Sequence, residues 1–89
     1  MATVRIPPVL RPDAGGNSRV SIAATTVREA LETVIASYPA LGARVLVEGE
    51  LPSFLNVLVD GEDVRLLSGL DTTVGESSTI LLLPAVAGG

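Results

Sequence analysis

The spacing of apolar residues along the chain shifts from two to longer and back to two, and each shift marks an element. Thr3, Val4, Arg5 and Ile6 alternate polar and apolar, which predicts a strand with Val4 and Ile6 on one face and Arg5 on the other. Pro7 and Pro8 remove two amide donors, so a regular central strand cannot run through them. Ser18 to Ala23 alternate again, with Val20 and Ile22 inward and Arg19 and Ser21 outward. Between them lies "RPDAGGN", a run of turn-favouring residues, so the two strands should form a hairpin. In "TTVREALETVIASYP" the period lengthens to about 3.6, and Val27, Ala30, Leu31, Val34, Ile35 and Tyr38 fall on one helical stripe. Thr26 can cap this helix, Glu29 three residues on completes a capping-box pattern, and Pro39 denies it a further donor.

After the helix, "ALGARVLVEGELPS" carries two signals. Val45 and Val47 alternate like a short strand, while Gly42, Gly49 and Pro52 interrupt it, which predicts a connection with a short strand or a turn of helix. "FLNVLVDGEDVRLL" predicts strand, turn and strand, with Asp60-Gly61 at the turn. Leu55, Val57 and Val59 would then face the core, and Phe54, Asn56 and Leu58 the other side. "SGLDTTVGESS" reads as a second connection with Leu70 and Val74 tucked under the sheet. The last strand, in "STILLLP", has Ile80 and Leu82 inward, Leu81 and Leu83 outward, and Pro84 to end it.

This order predicts an α+β domain: a mixed sheet of four to five strands, one main helix across one face, and the first and last strands side by side at the centre. That layout resembles the ubiquitin-like β-grasp, spanning residues 1–84 and followed by a flexible tail over 85–89. One helix covers one sheet face only. Alternation puts Arg5, Arg19, Ser21, Asn56, Leu58, Leu81 and Leu83 on the other. Single surface leucines are ordinary, but leucines gathered beside the tail would form a docking patch.

Composition narrows the chemistry. The chain has 89 residues, 47% of them hydrophobic, with net charge −4, which places it among folding chains and allows one core. Tyr38 and Phe54 are its only aromatics, and its cations are few beside its acids, so nucleic acid is not an expected partner. Cys, His and Lys are absent, which removes the thiol nucleophile, the imidazole base, the Schiff-base amine and the usual zinc ligands. A non-enzymatic role is expected, with no bound cofactor or metal. No secretion signal and no apolar stretch of about 20 residues is evident, so a soluble, cytoplasmic protein away from membranes is expected.

The end of the chain, "LPAVAGG", carries the main functional signal. Pro84 to Gly89 can reach about 20 Å when extended, far enough to enter another protein's active-site channel. Nothing after Val86 is bulkier than a methyl group, so the backbone can thread a narrow slot and present an unhindered carbonyl. By chance a Gly-Gly end arises in about one chain in 200; a β-grasp order and the missing catalytic side chains raise its weight. A terminal carboxylate is an anion at neutral pH and a poor electrophile, so it needs activation, which adenylation by ATP provides.

"ILLLPAVAGG", preceded by "DGEDVR" and "LDTTV", resembles the ThiS/MoaD family of sulfur-carrier proteins. The tail, with the opening "VRIPPVLRPDAGG", is similar to the branch that carries a thiocarboxylate for cysteine biosynthesis. That resemblance implies that Gly89 bears an acyl-adenylate and then a thiocarboxylate, and that Gly88 threads the channel. It further implies that Leu83, Pro84, Ala85, Val86 and Ala87 bind the activating enzyme, with Leu58 and Leu81 in the docking face. The implied partners are an E1-like enzyme that uses ATP, a sulfur-accepting synthase and a metalloprotease. The acceptor would be similar to a PLP-dependent cysteine synthase; thiazole, thiosugar or molybdopterin synthesis are the other destinations such carriers serve. The family commonly has Asp-Gly-Asp before the last strand, whereas this chain has "GESS" at 75–78. Two other roles compete: a ubiquitin-like modifier joined through Gly89 to lysines, and a pure interaction domain indifferent to loss of the tail.

Overall fold

The computed structural model describes residues 1–84. Five strands form one sheet: β1 (Ala2–Arg5), β2 (Arg19–Ile22), β3 (Leu55–Val59), β4 (Glu62–Asp63) and β5 (Thr79–Pro84), in the spatial order β2-β1-β5-β3-β4. β1 runs antiparallel to β2 and parallel to β5, and β3 runs antiparallel to both β5 and β4. The first and last strands therefore lie side by side and β5 is central. This is the mixed, ubiquitin-like sheet that the alternation predicts, at the five-strand end of the range.

The helix α1 (Val27–Ser37) covers one face. Val27, Ala30, Leu31 and Val34 of its stripe are buried with Val4, Ile6, Ile22, Leu55, Val57, Ile80 and Leu82 of the sheet side in a single aliphatic core, while Ile35 and Tyr38 pack at its margin. Thr26 caps the helix: its Oγ1 accepts from the Glu29 N–H at 3.2 Å. The Glu29 carboxylate reaches back to the Thr25 N–H at 2.9 Å, one residue before the cap, so the reciprocal bond is displaced but present. The helix start is also stitched to the loop before β5, where Val27 N–H donates to the Thr72 carbonyl and Val74 N–H to the Thr25 carbonyl. Leu70 and Val74 are buried there, as expected.

Two connections differ from expectation, and a third takes one of the two forms expected of it, the turn of helix. The "RPDAGGN" turn is preceded and partly replaced by a 3-10 helix, Pro8–Ala14, which ends where Gly15 and Gly16 take positive φ of 65° and 82°. Pro8 suits a first helical turn, and Leu10 and Ala14, four residues apart, are both buried; that spacing outweighs the turn-like composition. The short strand considered through Val45 and Val47 is absent. Leu41 and Val45 are fully buried, again four apart, and Gly42–Val45 forms a turn of helix, α2, while Val47 is 42% exposed. Finally, the strand after Asp60-Gly61 is two residues long. The left-handed turn (φ 50° and 88°) is as expected, but Asp63 then caps a 3-10 turn at Val64–Leu66 by accepting from the Arg65 N–H at 2.8 Å, and Val64 drops into the core. The last strand runs to Pro84, as expected, and Pro84 is paired with Leu55.

Leu31 has no exposed surface and sits at the middle of the helical stripe. Leu31→Ala should cost about 2–5 kcal/mol in urea unfolding followed by circular dichroism. Leu31→Asp, which buries an unpaired charge, should leave no cooperative transition at all.

Candidate functional site

The uncovered sheet face is built by register. Residues paired across a sheet project to the same side, so the rows can be read from the strand pairing. One row runs Arg19, Arg5, Leu81, Leu58, Asp63 from the β2 edge to the β4 edge. Next to it, Asn56 stands opposite Leu83. Leu58, Leu81 and Leu83, placed on this face by alternation alone, are thus neighbours: Leu58 and Leu81 are half-buried, and Leu83 is 40% exposed. Leu81 and Leu83 belong to the strand that ends at Pro84, the last described residue, and Leu58 is paired with Leu81. Ala85, Val86, Ala87, Gly88 and Gly89, the tail positions singled out above, lie outside the described residues.

A shallow pocket of about 250 Å³ opens at the β1 edge of this face, lined by Arg5, Arg11, Arg19, Pro7, Leu81 and Leu83 among others. Arg11 belongs to it because the Pro8–Ala14 helix folds back: its Nε donates to the Ile6 carbonyl at 3.0 Å. Sequence reading missed Arg11. The signal was the Leu10/Ala14 spacing, which places Arg11 on a helical turn beside the β1 edge instead of in an open loop.

Among the described residues no group of three acids gathers as a metal site, and no helix is long and apolar enough to cross a membrane. Among the described residues the face offers apolar contact, positive charge toward the β2 edge, the Asp63 carboxylate toward the β4 edge, and the hydroxyls of Thr3, Ser21 and Thr79. It can dock a partner.

A model of the ThiS family matches residues 4–89. The chain belongs to the ThiS family. It is 38% identical over 90 residues to the sulfur carrier protein CysO of Mycobacterium tuberculosis, an alignment covering 98% of this chain and 97% of that one. The crystal structure of the Amycolatopsis orientalis BexX/CysO complex contains a chain with a TM-score of 0.94 and 40% identity, each chain covered in full. The solution structure of small archaeal modifier protein 1 from Methanosarcina acetivorans gives a TM-score of 0.88 at 29% identity, covering 99% of this chain and 95% of that one. These likenesses agree with the ubiquitin-like sheet and helix described above.

On the open face Arg5 and Arg19 form an unfavourable pair. They stand directly opposite each other on adjacent strands. Like charges in that position disfavour folding by about 0.2–1 kcal/mol. Arg19→Glu would replace the repulsion with a cross-strand ion pair, so a calorimetric melt should show a higher Tm than wild type, by a few degrees for a domain of this size.

Proposed function

We propose that this ThiS-family chain is a sulfur carrier whose reacting centre is the Gly89 carboxylate. An E1-like enzyme transfers AMP from ATP to that carboxylate with release of pyrophosphate. Sulfide then attacks the acyl carbon, the C–S bond forms as the bond to AMP breaks, and a thiocarboxylate results. The observation that carries the reading is the family match, which runs through Gly89, joined to an apolar face on the same strand that leads into the tail. Near-full-length likeness to proteins named sulfur carriers supports it, and the absence of Cys, His and Lys fits a protein that offers a carbonyl and leaves catalysis to others.

The docking role falls to Leu58, Leu81 and Leu83, and the threading role to Pro84, Ala85, Val86, Ala87 and Gly88. A PLP-dependent synthase similar to cysteine synthase is the acceptor we favour, followed by a metalloprotease that frees the new residue from the carrier. The modifier reading uses the same tail carbonyl, but the sulfur carrier protein matched over 98% of the chain is 38% identical, against 29% for the small archaeal modifier protein, which does not favour it.

With ATP, sulfide and a matching E1-like enzyme, intact-mass spectrometry should show one oxygen exchanged for sulfur; deletion of Gly89 should abolish that product. Gly88→Val should fold normally and fail to be activated, because a branched side chain blocks a slot that only glycine passes. Normal adenylation of that variant would remove the narrow-channel argument. Leu83→Ser, at an exposed position, should raise KM for the activating enzyme while leaving kcat and the melt close to wild type.

A further inference from the structure

All six cations of the chain are arginines, and each has a defined setting. Arg44 pairs with Asp13 at 3.0 Å, and Arg28 lies 3.9 Å from Asp71 and also donates to the Gly49 carbonyl. Arg65 donates to the Asn56 side chain and the Pro52 carbonyl, which ties the β4 edge to the loop before β3. Those three serve the fold. The other three, Arg5, Arg11 and Arg19, converge on the one pocket beside Leu81 and Leu83, and among the described residues none of them pairs with an acid.

Folding alone gives no reason for this arrangement. Arg5 faces Arg19 across the ladder at a cost in stability, in a protein whose acids outnumber its cations ten to six. Positive charge is thus concentrated on one edge of one face of an otherwise acidic molecule. Arg11 is held by a single bond from Nε to the Ile6 carbonyl, which fixes the guanidinium and leaves its terminal N–H groups for an outside acceptor. Local conflicts of this kind mark binding surfaces.

We propose that Arg5, Arg11 and Arg19 form a cationic clamp that receives an acidic side-chain cluster on the E1-like activating enzyme, beside the apolar contact made by Leu81 and Leu83. The choice of that enzyme as occupant rests on the carrier reading; the acidic character of the occupant rests on the clamp. Guanidinium forks take carboxylates in pairs of parallel hydrogen bonds, and adjoining leucines supply the apolar contact that a specific protein interface needs at its centre. A small free anion would use the arginines and leave the leucines uncovered, so a protein surface is the better match. Because acids outnumber cations over the rest of the chain, the clamp also orients the encounter: an acidic partner is favoured at the face next to the tail.

The test uses the full-length chain and the E1-like enzyme encoded by the same genome, with Kd from isothermal titration calorimetry and thiocarboxylate from intact mass in parallel. Arg19→Glu should weaken binding about tenfold or more although it raises Tm, which separates docking from folding. Arg5→Glu and Arg11→Glu should weaken binding similarly. Arg28→Glu, with the same change in net charge placed away from the face, should stay within about twofold of wild type. Folded Arg5→Glu, Arg11→Glu and Arg19→Glu proteins that all bind like wild type would overturn the clamp, as would a wild-type chain that does not bind the enzyme. Sodium sulfate is the probe for a small-anion site. Saturable sulfate binding lost in these variants, with enzyme binding unchanged, would likewise overturn it. Clamp-dependent binding without any thiocarboxylate would support the clamp and sink the carrier reading, so the two failures are distinguishable.

Discussion

The pairing of β1 with β5 is the constraint from which the rest of the architecture follows. Val4 stands beside Ile80 in a parallel ladder, and both are fully buried, as is Leu82 two residues on. A parallel pair cannot be closed by a tight turn, so everything between residues 5 and 79 is a crossover of some kind, and the helix α1 is its main component. The contact is also the most distant one in sequence that the sheet makes. Its loop-closure cost is repaid only when both chain ends and the helix meet, which makes the sheet and the helical layer one cooperative unit. β5 is held by β1 over Thr79–Leu81 and by β3 over Ile80–Pro84, so the strand that leads into the tail is central in the sheet.

Elements with a clean period were legible in the sequence because a single force, burial of one face, set both their residues and their geometry. That holds for β1, β3, β5 and α1, and for the cross-strand neighbours Leu58, Leu81 and Leu83. The connections were harder because two signals compete there. In "RPDAGGN" and "ALGARVLVEGELPS" the prolines and glycines advertise turns, while a single pair of buried residues, Leu10 with Ala14 and Leu41 with Val45, winds the backbone into helical turns. One pair at spacing four is too short a pattern to stand out against turn composition, yet two buried side chains are enough to decide the fold locally. The same competition cut β4 to two residues once Val64 found the core.

The candidate site divides along the same line. The Gly-Gly end lies outside the described residues; the leucines were legible from alternation. Arg11 was not, because its place beside Arg5 and Arg19 depends on the Pro8–Ala14 turn, itself a misread connection. The conflict between Arg5 and Arg19 was invisible too: alternation gave both the same face but not the register that sets them opposite each other.

A division of labour between the two faces explains why such a conflict can persist. The helix face holds nearly all the aliphatic burial, so stability is set there by residues such as Leu31, Val57 and Leu82, and the open face is spared from contributing. Sites on opposite faces with no shared partners combine almost additively, so charge on the open face can drift toward what a partner needs while the core absorbs the loss. On the proposed reading, in which other enzymes act on the Gly89 carboxylate, recognition is what remains to be encoded in side chains. The uncovered face is where the fold leaves room for it.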